Sequence, residues 1–94
     1  MTTRYVVELF GPPRRLARAA EVELHLPDGA VLRDALQALG REAPALLGCV
    51  LAEDGGRLVE PYALNLNGRH FASDLGQRLV PGDRILIMLP AAGG

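Results

Sequence analysis

The chain has no tryptophan, one cysteine, and only two tyrosines and two phenylalanines in 94 residues. It also lacks any excess of charge of one sign. Ten basic and eleven acidic side chains are interspersed, for a net charge of −1. That balance excludes the electrostatic footprint of a nucleic-acid or membrane-surface binder. Arg14, Arg15 and Arg18 cluster, but in a polar stretch they read as a solvated loop. The single Cys49 excludes an intramolecular disulfide and fits a reducing cytosol. No apolar run is long enough to cross a bilayer, and Met1 to Tyr5 lack the apolar segment of a secretion signal. The expectation is a cytoplasmic protein, complete and unprocessed at its start.

Catalytic groupings are missing as well. His25 lies on an alternating segment and His70 follows a turn, and neither has a cysteine or acidic partner at metal-ligand spacing. Gly55-Gly56 lacks the lysine and helix of a phosphate-binding loop, and no nucleophile elbow occurs. Cys49 sits among Leu47, Gly48 and Val50, which predicts an inert core position. The protein is therefore expected to have no catalytic residues, no metal and no stably bound cofactor.

What is present is enough for one small domain. Nearly half the residues are apolar, and a chain of this length buries about 60–65% of its unfolded surface. Residues 5–10 read as a strand that Gly11-Pro12-Pro13 ends. Residues 21–26 alternate, with Val22, Leu24 and Leu26 on one face and Glu21, Glu23 and His25 on the other. Pro27-Asp28-Gly29 is a turn. The period then changes. Leu32, Ala35, Leu36 and Leu39 fall on one helical face, with Asp34 in the first turn and Gly40 as the expected stop. Residues 44–51 suggest a helical turn and a short strand. Asn67-Gly68 predicts a tight hairpin between residues 62–66 and 69–71. Leu79 is a core candidate, Pro81-Gly82 turns the chain, and residues 84–89 form a last strand that Pro90 stops.

Two features exceed a plain helix-on-sheet domain. The last strand is apolar on both faces, with Ile85, Ile87 and Leu89 on one and Leu86 and Met88 on the other. One helix can cover only one face. If the first and last strands are neighbours, Val6 and Phe10 extend the patch around Leu86 and Met88 into a partner surface. The alternative is that residues 44–51 fold over it. The second feature is the end of the chain. Pro90, Ala91, Ala92, Gly93 and Gly94 carry minimal side chains, and five such residues reach about 16 Å when extended. A peptide of this kind is expected to be flexible and can thread a narrow channel.

Leu79, then Pro81-Gly82-Asp83, the apolar run from Ile85 to Leu89, Pro90, small residues and a terminal Gly-Gly resemble the C-terminal signature of the MoaD/ThiS family of ubiquitin-like sulfur carriers. Val7-Glu8-Leu9-Phe10-Gly11, Leu26-Pro27-Asp28-Gly29-Ala30 and Leu66-Asn67-Gly68 are similar to other segments of that family. The likeness extends over essentially the whole chain.

The resemblance implies an α+β β-grasp (ubiquitin-like) domain over residues 1–89. It implies a mixed sheet of four to five strands with one main helix on one face, and a tail over residues 90–94. It also implies a carrier and not an enzyme. An adenylating, ubiquitin-activator-like enzyme uses ATP to activate the Gly94 carboxylate, a sulfur donor makes it a thiocarboxylate, and a sulfur-accepting synthase subunit receives the sulfur. Pro90, Ala91, Ala92 and Gly93 become the stretch recognised beside it. By family abundance the expected role is the small subunit of molybdopterin synthase. Met88, Leu89 and a single Pro90 depart from the aromatic residue and paired prolines common there. The longer middle, residues 51–62, resembles carriers for cysteine or thiolated natural products. Sulfur carriage for thiamine or tRNA thiolation, lysine modification through Gly94, and a passive binding module remain alternatives. Val31 stands where relatives often have a capping Thr or Ser, which predicts a modestly weaker helix start.

Overall fold

A computed structural model describes residues 1–90. Five strands and two helices follow in the order β1 (Thr2–Leu9), α1 (Pro12–Ala17), β2 (Glu21–Pro27), α2 (Leu32–Glu42), β3 (Ala63–Leu66), β4 (His70–Phe71) and β5 (Arg84–Met88). The sheet order is β2-β1-β5-β3-β4. β1 pairs antiparallel with β2 and parallel with β5, and β3 pairs antiparallel with both β5 and β4. This is the expected α+β β-grasp, with β5 in the middle.

Alternation along the strands sends Tyr5, Val7, Leu9, Leu24, Leu26, Leu64, Leu66, Ile85 and Ile87 into one core. The face of α2 bearing Leu32, Ala35, Leu36 and Leu39 closes over them. Fully burying each Leu or Ile stabilises by about 1.5–3 kcal/mol. Leu46, Val50 and Leu51 join the same core, and Leu47 packs on α2 at Gly40. Residues 44–51 therefore lie on the helical side and leave the opposite sheet face uncovered.

The start of α2 has no side-chain cap from Val31, yet its free N–H groups are satisfied. Asp34 Oδ2 accepts from the Val31 N–H at 2.9 Å. The Leu32 and Arg33 N–H groups donate to the carbonyls of Gln77 and Leu75 at 3.0 and 2.9 Å. A distant connection thus does the work of the missing hydroxyl.

Several local expectations are corrected. Gly40 does not stop the helix, which runs to Glu42. Gly40 is buried inside it, and a Cβ there would lie 2.9 Å from Leu47 Cδ2. The residue is small because a neighbour is close, and Pro44 is what ends the helical stretch. Pro12 and Pro13 end β1 but also open α1, since proline's fixed φ suits a first helical turn. Arg14 and Arg15 are accordingly helical, and Arg18 takes the left-handed cap position at φ 56°. Cys49 is exposed and not in the core. The N–H groups of Cys49, Val50 and Leu51 all donate to the Leu46 carbonyl, a tight turn that faces Val50 and Leu51 inward and Cys49 outward. Leu89 lies past the end of β5 and is exposed, although it shares the parity of Ile85 and Ile87.

Candidate docking face and carrier terminus

The uncovered face draws on all five strands, with β2 supplying Glu23 opposite Val6 and His25 opposite Arg4. β1 contributes Val6 and Glu8, and Phe10 continues its line because the Phe10 N–H donates to the Ile87 carbonyl at 3.1 Å. β5 contributes Arg84, Leu86 and Met88, and β3 contributes Ala63 and Asn65. Register places Leu86 between Glu8 on β1 and Asn65 on β3, with Phe71 of β4 beyond Asn65. Met88 is opposite Ala63, and Val6 is opposite Arg84.

The four expected patch residues therefore share one face. Val6, Leu86 and Met88 are half-buried, and Phe10 is 40% exposed. The structure adds residues that sequence reasoning missed. Phe71 is 55% exposed at the far edge of the same row. Glu8 lies between Val6 and Phe10 and forms an ion pair with Arg84. Asn65 is buried, and its Oδ1 has no hydrogen-bond partner. The patch is thus an apolar surface carrying the Glu8–Arg84 pair and one unused acceptor, bordered on the β2 side by Arg4, Glu23 and His25. Strand parity already placed Glu8 with Val6 and Phe10. Placing Asn65 and Phe71 required the β3–β5 register.

Two loops fix β5 at its start. Asn67 and Gly68 both adopt positive φ, 61° and 72°, as the tight hairpin requires. The Arg84 N–H donates to Asn67 Oδ1 at 2.8 Å, and the Asn67 N–H donates to the Arg84 carbonyl at 2.9 Å. Asp83 Oδ2 accepts from the Val80 N–H at 2.8 Å, closing the Pro81-Gly82 turn as expected. β5 is held in register by these bonds and by its two neighbours.

At the other end, Pro90 follows the strand and is exposed. Because β1 and β5 are parallel, it leaves the sheet at the end where β1 gives way to Phe10 and α1. Ala91, Ala92, Gly93 and Gly94, the expected recognition stretch and activation site, lie outside the described residues.

Among the described residues, no group of three or more His, Cys, Asp or Glu side chains is placed to hold a metal ion. No described helix is long and apolar enough to cross a membrane. Grooves on the helical side are lined by Asp28, Asp34, Gln37 and Arg41, and by Gln37, Arg41, Glu53 and Asp54. The lining of these two grooves includes no Ser, Thr, Tyr, Cys, His or Lys. On β2, His25 bonds Glu23 at 3.0 Å, and Arg4 pairs with the same carboxylate. Arg4 first, and His25 second, hold the Glu23 carboxyl below its ordinary range.

The sequence model described as the ThiS family matches residues 7–94, which takes in β5 and the Gly-Gly end. This chain belongs to the ThiS family. Among solved structures it is similar to SAMP1 from Haloferax volcanii, with 30% identity over 97% of this chain and 99% of that one, at a TM-score of 0.81. It is also similar to a putative molybdopterin converting factor, subunit 1, from Pyrococcus furiosus, with 26% identity over 95% and 99% of the two chains and a TM-score of 0.76. The small archaeal modifier protein 1 from Methanosarcina acetivorans shares the fold at 24% identity over 100% and 99% of the two chains, with a TM-score of 0.76. No curated protein sequence matches the chain. ThiS-family, MoaD-like proteins are ubiquitin-like sulfur carriers and not catalysts, and they meet E1-like activating enzymes and partner subunits.

Proposed function

We propose that this ThiS-family protein carries sulfur on Gly94 and delivers it by docking through the face around Val6, Phe10, Leu86 and Met88. The observation that carries the reading is the family match through residue 94, joined to a β5 that carries Leu86 and Met88 on the exposed face and ends two residues before Pro90. A free carboxylate is a poor electrophile. In an activating enzyme, a Gly94 carboxylate oxygen attacks the α-phosphorus of ATP and pyrophosphate leaves. A sulfur nucleophile then attacks the acyl carbon, the new C–S bond forms, and AMP leaves with its electron pair. Metal or cationic groups that offset the phosphate charge belong to that enzyme. Docking the domain raises the effective concentration of the terminal sulfur at the acceptor. Pro90, Ala91, Ala92 and Gly93 are the segment that enters the partners' channels.

For the acceptor we propose the partner subunit of a molybdopterin synthase, which the likeness to the Pyrococcus furiosus protein supports. The likeness to Haloferax volcanii SAMP1 supports a second reading, attachment of Gly94 to target lysines.

Intact mass after incubation with an activating enzyme, ATP and a sulfur donor tests the proposal. Exchange of one oxygen for sulfur on the free protein is the expected result. Water-loss adducts with other proteins would favour the modifier reading, and no change with several activators would sink both. Deleting Gly94 is expected to abolish the exchange and leave the thermal midpoint unchanged, since the core of the described residues runs from Tyr5 to Ile87.

A further inference from the structure

All ten basic side chains of the protein are arginine; it has no lysine. All ten lie among the described residues, and every one is exposed. A lysine ammonium loses its proton near pH 10, and its free amine then attacks acyl carbons. A guanidinium is not deprotonated in proteins, so it offers no comparable nucleophile.

We propose that the chain is a one-way acyl donor: it supplies an activated carboxyl terminus but no side-chain amine that could receive one. The inference rests on the reading of Gly94 as the activated group. In the step it concerns, an amine nitrogen attacks the Gly94 acyl carbon of the adenylate. The C–N bond forms, the C–O bond to phosphate breaks, AMP leaves with the electron pair, and a proton passes from nitrogen to base. Another copy of this chain has no lysine with which to complete that step.

Strand direction sets the start of β1 away from the same molecule's tail. β1 and β5 are parallel, with Leu9 opposite Ile87. Met1 and Pro90 therefore sit at opposite ends of the sheet, separated by the eight residues of β1, about 26 Å at about 3.3 Å per strand residue. Five residues of tail reach only about 16 Å. Attachment to a target would consequently place single copies on its lysines and build no isopeptide chain upon them. Nor is the carrier itself a substrate for lysine-directed modifiers.

The test compares the wild-type protein with Arg57→Lys and Arg14→Lys, each incubated with an activating enzyme and ATP in the absence of a sulfur donor. Pyrophosphate release reports activation separately. Products are treated with hydroxylamine, which removes thioesters including any at the exposed Cys49, and are then weighed intact. The wild type is expected to remain one species, while the lysine variants lose water within the molecule or form amide-linked multimers. Hydroxylamine-resistant wild-type multimers would overturn the inference, as would full activation of all three proteins with no adduct from either variant. Absence of pyrophosphate release from all three would instead overturn the Gly94 reading, and this inference with it.

Discussion

The Asn67 side-chain amide donates a hydrogen bond to Asp83 Oδ1 at 3.0 Å and so ties the β3–β4 hairpin to the turn that opens β5. Sixteen residues separate the two. Each is the signature residue of its own turn, and together they set where the central strand begins.

Asn67→Ala removes these side-chain bonds and places a residue with a β-carbon at φ 61° without asparagine's tolerance of that region. The expected loss is about 1–3 kcal/mol by urea denaturation. Asn67→Gly keeps the backbone freedom and loses only the bonds, so it is expected to fall between wild type and Asn67→Ala.

Gly40 gives a graded packing series. Gly40→Ala meets Leu47 Cδ2, the far end of a flexible side chain, while gaining helix propensity of about 1 kcal/mol. Near-neutral stability is expected. Gly40→Val forces larger shifts around Leu47 and Leu51 and is expected to cost about 1–3 kcal/mol, read as a lower denaturation midpoint.

The exposed sheet face separates docking from folding. Met88 is half-buried and points away from the core. Met88→Glu is expected to leave the thermal midpoint within a few degrees of wild type and to weaken binding to a sulfur-accepting subunit at least tenfold, about 1.4 kcal/mol. Calorimetry on the pair of proteins would measure it. Unchanged affinity would remove this face from the proposed interface.

Glu23 links stability to pH. Its carboxyl is held below its ordinary value of 4.5 by Arg4, then by His25. A depressed folded-state value stabilises the native protein above the unfolded value, and that contribution is lost as pH falls through the folded one. Glu23→Gln is therefore expected to lower stability slightly at pH 7 and to match wild type in strong acid. Because the group is exposed, the difference should shrink with added salt. Equal denaturation curves at pH 7 and low ionic strength would show that the pair contributes nothing.

Much of the architecture was legible from local pattern. Alternation in β2, the one-sided apolar face of α2, and the Asn-Gly and Pro-Gly-Asp turns depend on backbone geometry over a few residues, which neighbouring side chains largely determine. The resemblance of residues 79–94 to one family has the same local character. Other features depended on partners distant in the chain. Gly40 reads as a helix stop until Leu47 is seen against it, and Cys49 reads as core until the turn around the Leu46 carbonyl faces it outward. The weak cap at Val31 is repaired by the carbonyls of Leu75 and Gln77, more than forty residues away. The sequence by itself determined which residues form strands, the main helix and the small-residue end, because periodicity and turn chemistry are short-range. Only the tertiary structure decided that β1 lies parallel beside β5. That pairing gathers Val6, Phe10, Leu86 and Met88 on one open face, sets Glu8 and Asn65 among them, and holds Met1 at the end of the sheet opposite Pro90, because strand order and register are settled by burial across the whole sheet.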